Sequence, residues 1–334
     1  MMASGFPCLW RRLLCSIHST LEEGRSLLKN LLVYILFPGF VPVVGQTVSH
    51  EKRNVPTPQV TLAYETFGAK GSNLPIIAVN GGPGLSHVYM VQNDLWERVA
   101  KHRLVVLYDQ RGTGGSKPVL AGASQGMEAQ VADLEAIRAA LGLERFALLG
   151  DSYGGLLSMA YTAAHPEHVA KLILSDSPGP SWKDIAHPLP QVFPDIEEQA
   201  QAEAKALGEG SDAAARSGMR NHFRMIFYSP EKRDAYMAKM GGLGYEPAVA
   251  EAVRKATESL DLNAVVGSFR MPTLVITGRY DMNVAPLTAW KLAHAIPGAK
   301  IVFFEQSGHL PAYEEADRYL SVLESFLDET PKGR

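Results

Sequence analysis

Cysteine is almost absent from this 334-residue chain, which has only Cys8 and Cys15, both near the N-terminus. The body of the protein therefore has no disulfide framework and no thiolate metal site. The histidines are scattered, without an H-E-x-x-H pair or a His/Cys cluster, so neither a metal nor another cofactor is expected. Charge of one sign is also lacking. A formal net charge of -3 with 20% charged residues offers no electrostatic attraction for nucleic acid or an anionic membrane. There are no internal repeats and no low-complexity segments. What is present is ordinary for a globular enzyme: 46% apolar residues and enough length for one large domain, with or without an insertion.

No run is long enough for a confident membrane span. The nearest is Leu31–Val44, which is short and interrupted by Pro38 and Pro42. Its length suits the apolar part of a secretory signal, although Glu22 and Glu23 precede it and the cleavage site is poor. The other reading is an N-terminal extension that packs on the fold or lies on a membrane surface. Residues 1–50 are set apart as this leader. The protein is exported or membrane-associated if the run is a signal, and cytoplasmic otherwise.

Beyond the leader the rhythm is β/α. Val60–Tyr64 alternates like a strand, while Pro75–Val79 and Leu104–Tyr108 are short continuous apolar runs. Met127–Leu141 has helical spacing. Ala147–Gly150, Lys171–Ser175, Thr273–Thr277 and Lys300–Phe304 read as further buried strands. Strands alternating with helices imply a mostly parallel sheet covered on both faces, with ligands at the carboxyl ends of the strands. Between residues 178 and 270 the strand rhythm stops, and four helical stretches occupy the interval. The expected organisation is a core of residues 51–177 and 271–334 with a helical cap, 178–270, inserted over the site.

The most specific signal is Gly150-Asp151-Ser152-Tyr153-Gly154, a G-x-S-x-G that ends a strand and opens a helix. Small residues on either side let the turn close, and the serine hydroxyl is left exposed at its tip. Two further residues follow at strand ends in the order Asp281, then His309. Ser, Asp, His is the chain order of the α/β-hydrolases. In that chemistry His309 takes the proton from Ser152 Oγ, and Asp281 holds the imidazole tautomer and stabilises its cation. The oxyanion needs two backbone donors. Tyr153 supplies one, and the Gly81-Gly82-Pro83-Gly84 turn supplies the other through Gly82, with Gly81 as its competitor.

Together, Asn-Gly-Gly-Pro-Gly (80–84), Asp-Gln-Arg-Gly-Thr-Gly-Gly-Ser (109–116), Gly-Asp-Ser-Tyr-Gly-Gly (150–155), Gly-Arg-Tyr-Asp (278–281) and Ser-Gly-His (307–309) resemble the proline iminopeptidases. These are α/β-hydrolase-fold serine peptidases that remove N-terminal residues, often proline, from short peptides. The resemblance runs from about Val60 to Leu327 but leaves out most of the cap. It implies catalytic Ser152, Asp281 and His309, an oxyanion hole from Gly82 and Tyr153, and a small-molecule or short-peptide substrate. Asp109 and Arg111 would brace a loop.

Two departures stand out. Asn80 replaces the family's usual His and can order the same loop by hydrogen bonds. More consequentially, prolyl members carry cap glutamates that bind the substrate amine, and Ser259–Gly267 has none at the corresponding place. Asp195, Glu197 and Glu198 are the candidates to substitute, against the plain alternative of a solvated helix face. An esterase or lactonase needs the same triad without an amine pocket, and a ligand receptor on a hydrolase scaffold needs neither. Dehalogenase and epoxide-hydrolase chemistry is disfavoured, because those enzymes use an Asp nucleophile where this elbow has Ser152.

Overall fold

The computed structural model describes residues 48–240 and 244–330. Residues 1–47, which include Leu31–Val44, lie outside the described residues, while His50, the last residue of the expected leader, opens the first strand. No helix among the described residues is long and apolar enough to cross a membrane.

Eight strands form one sheet: β1 (His50–Pro56), β2 (Thr61–Phe67), β3 (Ile76–Val79), β4 (Val105–Tyr108), β5 (Phe146–Asp151), β6 (Val169–Ser175), β7 (Thr273–Gly278) and β8 (Lys300–Phe304). Their order is β1-β2-β4-β3-β5-β6-β7-β8. β2 runs antiparallel to both β1 and β4, and every pairing from β4 through β8 is parallel. Helices α1 (Leu95–Val99), α2 (Met127–Ala140) and α3 (Tyr153–Ala164) lie between strands of the first half. Six more fall between β6 and β7: α4 (Leu189–Val192), α5 (Pro194–Leu207), α6 (Asp212–Met225), α7 (Pro230–Lys239), α8 (Pro247–Thr257) and α9 (Asn263–Val266). After β7 come α10 (Pro286–Ala295), α11 (Pro311–Glu314) and α12 (Ala316–Asp328).

The alternation of side chains along the parallel strands divides the core in two. Ile77, Val79, Leu148 and Leu172 pack with Leu134 and Ile137 of α2, Leu157 of α3 and Leu292 of α10. Ile76, Ala78, Leu149 and Ile173 face the other way, onto Trp96 of α1 and Tyr319, Leu323 and Phe326 of α12. Both faces of the sheet are buried, which is why these strands read as unbroken apolar runs. A third cluster joins Phe223, Phe227 and Tyr236 of the inserted segment to Leu85, Tyr89 and Leu310, which lie in loops at the carboxyl ends of the strands. β1 differs from the other strands: six of its seven residues are exposed, and Glu51, Lys52 and Arg53 keep this sheet edge charged.

Candidate active site

The serine elbow follows from the junction of β5 and α3. The strand ends at Asp151, the helix begins at Tyr153, and Ser152 between them adopts φ 50° and ψ −124°. A non-glycine residue held there costs about 1–3 kcal/mol, so the surroundings must enforce it. The Ser152 N–H donates to the carbonyl of Ser175 at 2.9 Å, anchoring the turn to β6. A Cβ on Gly154 would stand 2.2 Å from the Val79 carbonyl oxygen, so only glycine lets α3 approach β3 this closely.

The structure brings Ser152, His309 and Asp281 together. Ser152 Oγ lies 3.0 Å from His309 Nε2, and His309 Nδ1 lies 2.7 Å from Asp281 Oδ2. The other oxygen of Asp281 accepts the N–H groups of Asn283 and Val284, each at 2.9 Å, so the carboxylate cannot swing away. The loop carrying His309 is held from two sides. The His309 N–H donates to the Ile226 carbonyl at 2.7 Å, and the Gly308 N–H donates to Glu314 at 2.7 Å. Burial opposes the imidazolium, yet the carboxylates of Asp281, Asp176 and Asp151 outweigh it and push His309 up to about 9. Asp176 is a neighbour that the sequence reading passed over. It is fully buried, and burial together with Asp281 holds its carboxyl well above the usual range. It ends β6 with φ 47°, accepts the Gly278 N–H at 3.0 Å and so ties the end of β6 to β7.

On the opposite side of Ser152, the Gly-Gly-Pro-Gly turn is fixed by its neighbours. Asn80, fully buried, donates from Nδ2 to the carbonyls of Gly81 and Leu85 at 2.9 and 2.8 Å. The Gly81 N–H donates to the Tyr89 hydroxyl at 2.5 Å, which in turn donates to Asp151. Gly81 is therefore already engaged, and Gly82, at φ 131°, stands with Tyr153 and Ser152 on the wall of a cavity of about 710 Å³. Most of the rest of that wall comes from the inserted segment, including Trp182, Met219, His222 and Tyr245, and Asn283 and Val284 join it from the loop after β7. His222 is pushed down to about 3 by burial and by the neighbouring His309, so it stands there as a neutral imidazole.

Behind the turn lies a second buried ionic cluster. Asp109 accepts Ser86 Oγ at 2.7 Å, His87 Nδ1 at 2.8 Å and the Gly115 N–H at 2.7 Å. His87 also reaches Glu65, 3.3 Å away. Burial opposes its charge too, but the hydrogen bonds to Asp109 and Glu65 carry it up to about 9. Arg111 makes a two-pronged pair with Asp133, both contacts at 2.7 Å. Asp109 and Arg111 thus brace loops and do not reach the cavity.

Asp195, Glu197 and Glu198 are not brought to the site. They lie on α5, which buries none of its residues, and none of them lines a cavity that contains Ser152. Asp195 and Glu198 are exposed to solvent, which is the solvated-face alternative. The residues missed by sequence reasoning are Asp151, Asp176, Tyr89, Asn283 and His222. Asp176 carried a usable signal, as an acid directly after the apolar run Lys171–Ser175, and Asp151 lies inside the elbow motif itself. No metal site is apparent in this cluster. Asp176, Asp281 and His309 place ligand atoms within 4.8 Å of one another, but both nitrogens of His309 and both oxygens of Asp281 are already in hydrogen bonds.

A serine elbow at the carboxyl edge of a largely parallel sheet, with His and Asp on the two loops that follow, defines the class. The chain belongs to the alpha/beta hydrolase fold family, which it matches over residues 75–316, and it is a serine hydrolase of that fold. Among curated relatives it is similar to a proline iminopeptidase of Lactobacillus crispatus, 29% identical over 80% of this chain and 96% of that protein. A proline iminopeptidase of Heyndrickxia coagulans is likewise 29% identical, over 87% and 98%. Among solved structures, a thermophilic esterase of Thermogutta terrifontis superposes with a TM-score of 0.61 at 26% identity, covering 83% of this chain and 98% of that one.

Proposed function

We propose that this hydrolase cleaves the amide bond after the N-terminal residue of short peptides and small aminoacyl amides, through an acyl-enzyme on Ser152. The observation that carries the reading is the continuous contact from Ser152 Oγ to His309 Nε2 at 3.0 Å and from His309 Nδ1 to Asp281 at 2.7 Å. His309 removes the serine proton as Oγ attacks the carbonyl and returns it to the leaving amine. Asp281 keeps the Nδ1 proton in place and stabilises the imidazolium. The N–H groups of Gly82 and Tyr153 receive the oxyanion, each such donor being worth about 10²–10³ in rate. Residues 178–270 act as a cap that completes the substrate cavity and limits substrate size. The curated relatives named proline iminopeptidase support the substrate class. Selectivity for proline is weak, because a cavity of about 710 Å³ exceeds what a pyrrolidine ring fills.

A specific observation favours an esterase as the second reading. Among the described residues, the wall of the large cavity contains no carboxylate, and its one charged side chain is Arg254. A panel of three substrates on one sample decides: prolyl arylamide, its N-acetyl form and a short p-nitrophenyl ester. The free-amine amide is expected to outpace the acetylated one by about 100-fold or more, since an unpaired buried group is costly. If acetylation changes nothing and the ester far outruns both amides, the peptidase reading fails.

A further inference from the structure

Cleavage next to an N-terminal residue sets a distance problem. The substrate's amine sits on the carbon adjacent to the carbonyl that Ser152 attacks, so its counter-charge must stand close beside the nucleophile. A desolvated ammonium without one is costly. The acids of α5 do not reach the site, and the large cavity has none on its described wall.

One carboxylate does stand there. Ser152 and Asp151 together line a smaller cavity of about 50 Å³, whose wall also includes Gly82, Met219, His222, Asn283 and His309. Gly82, Ser152, Met219, His222 and Asn283 also line the large cavity, so the small one is its inner end. Side chains of successive strand residues normally point to opposite faces. Ser152, at φ 50°, stands outside that alternation, and both residues line this cavity; Asp151 also lines a cavity of about 20 Å³ with Tyr89, Tyr236 and Tyr319. Asp151 is 6% exposed. Its Oδ2 accepts the Tyr89 hydroxyl, while Oδ1 has no hydrogen-bond partner among the described residues. A buried carboxylate with one oxygen fixed and the other unpaired has strong reason to take a cationic donor.

We infer that Asp151 is the anchor for the substrate's α-ammonium or imino nitrogen, so that the elbow supplies the counter-charge the cap lacks. The inference rests on the amidase reading above and names its amine subsite. Tyr89 is the positioning residue: it fixes one oxygen of Asp151 and at the same time takes the Gly81 N–H, which couples amine binding to the oxyanion turn. The titratable groups facing Asp151 are Tyr89, Asp176, His222, Tyr236, Asp281, His309 and Tyr319. Burial raises its carboxyl to about 6, so it is ionised at neutral pH and loses its charge below.

The test compares wild type with Asp151→Asn on prolyl arylamide, N-acetyl-prolyl arylamide and p-nitrophenyl acetate, each amide rate taken as a ratio to ester turnover on the same sample. The ratio for the free-amine amide is expected to fall about 100-fold, mainly through KM, while the ratio for the acetylated amide stays level. An unchanged free-amine ratio overturns the inference while leaving the amidase reading intact. Should Asp151→Asn fail to fold, or should wild type hydrolyse no amide, prolinol is used as a competitive inhibitor of wild-type ester hydrolysis. Its affinity should weaken about tenfold per pH unit below 6 as Asp151 is protonated, with no such change for N-acetylprolinol. Inhibition by prolinol that is independent of pH between 4.5 and 7.5 (roughly three units across that ionisation) rejects the anchor. Absence of amide hydrolysis by itself rejects only the amidase reading.

Discussion

Two buried histidines, His309 and His87, share the same electrostatics and have different surroundings. Each is flanked by carboxylates, and in each those carboxylates overcome burial and carry the imidazole up to about 9. His87 is enclosed by Asp109 and Glu65, with side chains no more than 10% exposed, and lines no cavity that contains Ser152. His309 spends one nitrogen on Asp281 and turns the other toward a serine hydroxyl on the wall of a cavity. A shifted imidazole therefore marks a carboxylate neighbourhood, and catalysis is marked by what its second nitrogen faces. One cluster braces the loops around Ser86 and Gly115, and the other faces the cavity.

The comparison breaks if the two histidines fail in the same way. Ser152→Ala or His309→Ala should lower hydrolysis by about 10⁴–10⁶, and in Ser152→Ala the urea midpoint should barely move. A fluorophosphonate probe should label wild type and neither variant. Labelling that persists in Ser152→Ala would remove that serine from the nucleophile's role.

His87→Ala should instead appear as instability. It leaves buried Asp109 without its cationic partner, while Glu65 keeps Lys52 and His50, at a cost of about 3 kcal/mol in urea unfolding. The sign of its pH dependence follows from the raised pKa. The His87 contribution is fully present below 6.5 and is lost as pH rises through about 9. Asp109, held down at about 2, contributes above its ordinary 3.8 and stops contributing as pH falls toward 2. The decline of wild-type stability between pH 7 and 9 should flatten in His87→Ala, and an equal decline in both proteins would exclude His87 as its source.

The pH–rate profile sharpens the contrast in the other direction. A general base must be neutral to accept the serine proton, so kcat/KM should climb by about tenfold per unit below His309's pKa and level off near 9. Activity and stability would then move oppositely over that interval, activity following His309 and stability following both raised histidines. The smallest effect expected is from Tyr89→Phe. It removes the hydrogen bond between the oxyanion turn and the elbow and should lower kcat by about tenfold with no loss of phosphonate labelling. A change confined to KM would place Tyr89 in substrate binding alone.

The strands from β3 to β7 were legible because each is a short apolar run buried on both faces, the half-buried edge strand β8 because Ile301–Phe304 is apolar throughout, and the candidate triad because its residue types fall at three strand ends. β1 was not, since His50–Pro56 is a charged, exposed edge strand with no alternation to detect. The acids of α5 were misplaced for a related reason: a helix with no buried face gives no sign of which side meets a cavity. Asp151 was overlooked in plain sight. It occupies a variable position of the motif, and only the folded structure reveals that it lines a cavity with the candidate nucleophile.

One feature of the strand order bears on how the enzyme comes into being. Ser152 and His309 are 157 residues apart in the chain, and β8 can dock only on β7, which follows the whole inserted segment. At ordinary rates of synthesis, about 10–30 s pass between translation of the serine and of its base. In the proposed mechanism the nascent polypeptide carries, throughout that time, a serine with no partner to deprotonate it. A fragment released anywhere between β6 and β8 is equally inert. With those roles, hydrolytic power arrives last, as a by-product of completing the sheet, and an unfinished copy has none to turn on its surroundings.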